Sequence, residues 1–257
     1  MQWAGIDLAW GRVNTSAAVM LEIRDGQLVV THHANALTND ESVCAWLANC
    51  EKGDGLYVGV DAPLVVRNYT GERSCESMMR RCFGHFEAGP LPANRTLFND
   101  YVRGEQLIKM FNEMGITFGG DHGPRAQHVR SCYEVFPHAA HIGLFEINKT
   151  LKYKAGKGRS RESRMTAYAE LVENITELSL DEYSLAPPPW LQVPYCLRGA
   201  ELKRFEDLVD ALICAFTVAY LWQWGTEERC RIIGDACGEH IVAPVTKSIA
   251  ECLDQLR

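Results

Sequence analysis

The pair Asp25-Gly26 stands between two apolar runs, SAAVMLEIR at 16–24 and QLVVTHH at 27–33. A two-residue hairpin loop needs left-handed backbone at its centre, which Asp and Gly tolerate, so this pair predicts a tight antiparallel turn. Another apolar run precedes it at 2–10, and the chain therefore opens as a meander of three strands.

The rest of the chain alternates in type. NDESVCAWLANC at 39–50 has helical periodicity and an N-cap in Asn39 or Asp40. GLYVGVDAPL at 55–64 reads as a strand ending near Asp61, and residues 67–93 are irregular with a short helix around SCESMMRRCF. A helix is expected over 97–114, closing at Gly115. A strand in 129–140 stopping at Pro137 follows, then a helix at 163–178, an apolar helix at 200–224, a hairpin and a short helix. Strands separated by helical crossovers pair in parallel. The expected fold is α/β, a mixed five-stranded sheet with helices on both faces. It forms one domain over 1–257, with inserted segments at about 65–95 and 141–200.

The net charge of −7 argues against a strong, non-specific attraction to nucleic acid. Ten cysteines without a CxxC pair, and a strand pattern where a signal peptide would lie, predict reduced thiols and a cytoplasmic location. No apolar run approaches the roughly 20 residues that span a bilayer, so no membrane is expected as a partner.

Against this background several carboxylates are out of place. Asp7 is the only charge in WAGIDLAWG, inside a strand where no local backbone partner is on offer. Asp61 ends the fourth strand, at the edge where parallel sheets present ligands. On the apolar helix, Asp207 and Asp210 are three residues apart and Glu206 and Asp210 four apart, so like charges share a helix surface. A divalent cation would reverse that repulsion, and Mg²⁺ prefers hard oxygen donors. Bland readings stand for two of these acids: Asp207 as partner of Lys203, and Asp61 as a turn cap before Ala62-Pro63.

The motifs GIDLAWG, VGVDAPL, TGERSCE, YEVFPH, LKYK, DLVDAL and the closing IVAP, in this order from about residue 3 to 244, resemble a family catalogued as domain of unknown function 429, regarded as RNase H-like nucleases. The resemblance implies an RNase H-like fold and two-metal-ion phosphodiester cleavage leaving a 5′-phosphate and a 3′-hydroxyl. Carried over by motif, Asp7 and Asp61 are the strand carboxylates and Asp210 the helix carboxylate. These three are the implied metal ligands, for Mg²⁺ or Mn²⁺. Asp207 completes the D-x-x-D pair of RuvC-like members, and Glu134 in YEVFPH is a further catalytic candidate.

Other residues support a nucleic-acid partner only locally. Residues 149–164 hold seven Lys or Arg against one Glu, and Lys152 and Lys154 are candidate phosphate ligands, against the alternative of a solvated loop. Arg73 follows Asp61 closely enough for a substrate role or for an ion pair with Glu76. His138 and His141 suit either positioning or packing. Cys75, Cys82 and His85 are spaced loosely like a zinc site without an evident fourth ligand. Two further functions stay open. One is a non-catalytic ligand- or protein-binding module on the same fold. The other is a phosphotransferase or ATPase of the actin-like superfamily, which usually repeats the core that this chain has once.

Overall fold

The computed structural model describes residues 1–11, 14–53 and 55–256. Strands β1 (Gln2–Asp7), β2 (Ser16–Arg24) and β3 (Gln27–Leu37) form the expected antiparallel meander. The turn has Asp25 at φ 50° and Gly26 at φ 75°, the two left-handed positions that the hairpin required.

Helix α1 (Asp40–Cys50) starts with a capping box between Asn39 and Ser42. It returns the chain to β4 (Leu56–Asp61), parallel to β1. Helix α2 (Ser74–Phe83) falls on SCESMMRRCF, and α3 (Arg103–Glu113) follows. The helix expected from 97 begins at Arg103; Leu97 to Asp100 are turns, with Asn99 and Asp100 at positive φ. After β5 (Thr117–Phe118), β6 (Arg130–Glu134) pairs in parallel with β4. The strand expected to reach Pro137 stops three residues earlier, because Pro137 opens α4 (Pro137–Phe145) instead of closing a strand.

Helix α5 (Arg161–Thr176), the short strands β7 (Ser179–Leu180) and β8 (Tyr183–Ala186), and the long α6 (Gly199–Trp224) come next. The chain ends with the hairpin β9 (Cys230–Gly234) and β10 (His240–Pro244) and with α7 (Lys247–Asp254).

The main sheet has eight strands, in the order β5-β6-β4-β1-β2-β3-β8-β7, where five were expected. The additional β5, β7 and β8 are two to four residues long, too short to carry an alternating pattern. The five expected strands lie contiguously within it. One face packs Trp3, Tyr57 and Tyr133 against α6; the other packs Ile6, Val58 and Val60 with α1 and α3. Helices therefore cover both faces, as expected.

Two glycines set how closely α6 lies on the sheet. Gly5 and Gly59 are register partners on β1 and β4. A Cβ on Gly5 would fall 1.9 Å from the Ala211 carbonyl oxygen, and one on Gly59 would fall 2.6 Å from that of Cys214. The helix backbone thus rests directly on the strand backbones, which only glycine permits.

The cysteines depart from the expectation of reduced thiols. Cys82 on α2 and Cys252 on α7 form a disulfide across 170 residues, with Cα atoms 5.8 Å apart. Such a pair is set by the packing of two helices and leaves no trace in local spacing. It also removes Cys82 from the loose zinc pattern. Among the described residues, no helix is long and apolar enough to cross a membrane.

Candidate active site

Asp7 and Asp61 are the last residues of β1 and β4 and are direct register partners. Paired residues of parallel strands point to one face, here the α6 face, two residues beyond Gly5 and Gly59. Asp210 lies on α6 immediately before Ala211, whose carbonyl meets Gly5. The close approach at the glycines therefore delivers Asp210 to the two strand carboxylates. The signal in the sequence is a Gly-x-Asp spacing shared by GID and GVD, which the motif reading passed over.

The three carboxylates do not share one environment. Asp210 is fully buried; it accepts from Tyr153 Oη on Oδ1 and from Lys154 Nζ on Oδ2. Burial pushes its carboxyl up, but Lys154, His138 and the two hydrogen bonds bring it below the usual range. Asp7 is raised well above the usual range, first by burial and then by Asp210, Asp61 and Asp207. Asp61 is raised to about 7, again by burial first, with Lys154 opposing and Asp210 and Glu134 adding to the shift. Neither Asp7 nor Asp61 accepts a hydrogen bond from any side chain or backbone group among the described residues.

Lys154 is held charged. Burial works against its ammonium, and Asp210, Asp7 and Asp61 more than compensate. His138 and His141 are held neutral, pushed down to about 4 and about 3, chiefly by burial. They pack around Tyr153, with ring centroids 5.9 Å and 5.8 Å from its ring. His138 also meets Thr150 Oγ1 at 3.2 Å.

The remaining acids are engaged elsewhere. Asp207 pairs with Lys203 one turn back, as its bland reading held. Glu206 is taken by Arg164 at 2.8 Å and Tyr168 Oη at 2.7 Å. Glu134 is opposite Val60 in the register, so its side chain leaves the sheet on the face away from Asp61. There Arg73 binds both its oxygens, at 2.8 Å and 2.5 Å, and also grips Glu76 at 2.8 Å and 2.9 Å. The Leu64 N–H donates to Glu134 at 2.9 Å. Arg73 is 2% exposed and its guanidinium is spent on this network.

The basic window is largely neutralised by its surroundings. Lys149 and Lys152 both pair with Glu87, Lys154 with Asp210 and Arg164 with Glu206. Of the phosphate candidates, Lys154 faces the carboxylates and Lys152 lies beside them, on a cavity of about 260 Å³ whose wall includes Asp61.

The donors suit a hard dication in kind: oxygen ligands, crowded negative charge, and uncommitted carboxylates on Asp7 and Asp61. Asp210 would have to exchange Lys154 for the metal. Among the described residues, no group of three or more His, Cys, Asp or Glu is arranged to hold a metal ion.

The fold and site define an α/β protein with a charge-crowded carboxylate centre at the carboxyl ends of parallel strands. The chain belongs to the family described as Protein of unknown function (DUF429), which it matches over residues 5–236. No curated protein and no solved structure matches it.

Proposed function

We propose that the protein is a metal-dependent nuclease of RNase H-like architecture, with Asp7, Asp61 and Asp210 as its metal-binding residues. The strand order β6-β4-β1-β2-β3, antiparallel then parallel, supports the RNase H-like reading. The observation that carries the chemistry is the Asp7–Asp61 register pair under Asp210, with both strand carboxylates raised and unpartnered. Two half-buried carboxylates crowded together without a hydrogen-bond donor are unfavourable unless a ligand compensates them.

Mg²⁺ or Mn²⁺, when bound, would supply Lewis-acid polarisation of a phosphodiester and a hydroxide-like nucleophile at neutral pH. The chain's own residues do the rest. Asp7 and Asp61 would hold the cations at the strand ends, with Asp210 completing the set from α6. Lys154 stays protonated and gives the site a fixed positive charge that a phosphate oxygen can share. Tyr153 orients Asp210 through its hydroxyl.

Titration calorimetry with Mn²⁺ tests this directly. Wild type is expected to bind, and Asp7→Asn to lose at least about tenfold in affinity, some 1.4 kcal/mol. Absence of Mn²⁺ binding by wild type would falsify the metal-dependent reading. A second reading, a non-catalytic binding module, draws on the Lys154–Asp210 ion pair, which already places a cation at the centre of the site. Mn²⁺ binding without cleavage of single strands, duplexes or hybrids would favour it.

A further inference from the structure

The cavity beside Asp61 has features that the carboxylate centre does not use. At about 260 Å³ it sits at the small end of ordinary ligand pockets, and it has room for one nucleoside-sized group but not for a helical groove. Its rim carries two large exposed apolar side chains, Trp10 at 47% and Leu91 at 74% exposure. Exposed groups of this size in a cavity mouth mark contact with a ligand more often than they mark core.

Trp10 is positioned for that contact. Its ring stands edge-on to Phe98, with centroids 5.6 Å apart, and the preceding carbonyl of Ala9 is held by Arg103. Arg103 is in turn fixed by Asp40 at 2.6 Å. The ring thus keeps a place at the mouth without burying its face. Phe136 and Ile241 continue the apolar lining.

The same cavity has a charged side. Lys152 lies there but is already paired with Glu87 at 3.1 Å, and Arg73 with Glu134 and Glu76, so neither is free for a ligand. Arg159 lines it too, anchored through Nη1 to the Lys154 carbonyl at 3.0 Å, which leaves its other guanidinium N–H groups for a ligand. A flat apolar mouth, one uncommitted guanidinium on Arg159 and the Asp61 carboxylate in the wall together suit one ligand: a planar base joined to an anionic phosphate.

We propose that this cavity is a binding site for a single nucleoside monophosphate group. The base stacks on Trp10 against Leu91, and the phosphate points to Arg159, next to Asp61. The group is either the terminal nucleotide of a strand or a free mononucleotide. The nature of the ligand rests on the nuclease reading, but its binding is measurable without catalysis.

Titration calorimetry of AMP and UMP, in EDTA and again with Mn²⁺, tests the site, with ribose 5-phosphate and adenosine as the base-less and phosphate-less controls. Both nucleotides are expected to bind, and ribose 5-phosphate at least about tenfold more weakly, as base–aromatic stacking implies. Trp10→Ala is expected to erase most of the difference between AMP and ribose 5-phosphate, and Arg159→Ala most of that between AMP and adenosine. Both side chains are solvent-exposed, so the variants should melt with wild type, which circular dichroism checks. Ribose 5-phosphate binding as tightly as AMP, or no nucleotide binding in either condition, overturns the site.

Cleavage of linear and covalently closed single strands identifies the source. Linear strands trimmed to mononucleotides while circles resist support the terminal-nucleotide form. Base-dependent AMP binding with no cleavage of either supports the site as one for free mononucleotides and overturns the nuclease reading alone. Circles cut as fast as linear strands, with no AMP binding, overturn the site and leave the nuclease standing.

Discussion

The two faces of the β1–β4–β6 region each gather a group of carboxylates, and the two groups are built on opposite principles. On one face Glu134 and Glu76 converge on Arg73, and every oxygen of both has a donor, either the guanidinium or a backbone N–H. On the other, Asp7 and Asp61 crowd together with Asp210 and Asp207, and the nearby cations Lys154 and Lys203 are themselves paired with Asp210 and Asp207. The first arrangement is closed: it joins the segment after β4 to β6 and the start of α2, and it has no free valence for a ligand. The second is crowded with like charge and lacks donors on Asp7 and Asp61, which suits a site and is a liability for stability; Asp61 alone of it reaches the cavity, whose wall the first group also lines.

Removing the cation from the closed group should have the largest effect. Arg73→Met leaves two buried carboxylates without their partner, and loss of one side of a buried ion pair typically costs about 3–5 kcal/mol. Urea unfolding should show this as a lowered midpoint with an unchanged slope. A midpoint within error of wild type would show that the two groups are not different in kind.

Next in size is the approach of α6. Gly5→Ala places a Cβ on the Ala211 carbonyl and forces the helix off the sheet, for about 3 kcal/mol, the upper range of ordinary overpacking. Because the same shift withdraws Asp210 from Asp7, Mn²⁺ affinity should fall along with stability. If stability falls and Mn²⁺ binding holds, the glycine contact is only packing.

The smallest effect is the most diagnostic. Asp61 has a carboxyl near 7 in the folded state against an ordinary 3.8, so the folded protein binds more protons than the unfolded chain between those values. Stability must then fall as pH rises through that window and level off above it, the reverse of a salt-bridged acid. In EDTA, Asp61→Asn should flatten part of this decline, and Mn²⁺ should flatten it in wild type by binding the ionised form. Thermal melts from pH 4 to 8 read both. A wild-type stability that rises across the window would contradict the electrostatics of the open group.

Much of this was legible in the chain itself. Asp25-Gly26 fixed the hairpin, because few dipeptides tolerate two left-handed residues. The meander, the crossovers and the long apolar helix came from periodicity, and they placed Asp7, Asp61 and Asp210 on the right elements. Asp7 stood out because a strand interior gives a carboxylate nothing local to bond. The errors have equally local causes. Pro137 ends strands and opens helices alike, and two-residue strands such as β5 have no period to read.

What the sequence by itself determined is which side chains exist at the ends of β1 and β4 and on α6, since alternation and helical spacing act over a few residues. Only the tertiary structure decided their company. Lys154 reaches Asp210 across 56 residues and Arg73 reaches Glu134 across 61. Glu134 looked equivalent to the strand aspartates, yet it stands one register position off and so faces the opposite side of the sheet. The basic window looked like a phosphate surface until four of its cations found carboxylates of this same chain. Charge pairing at a few ångströms depends on distance in space, and distance in space is set by register and packing, which no window of sequence contains.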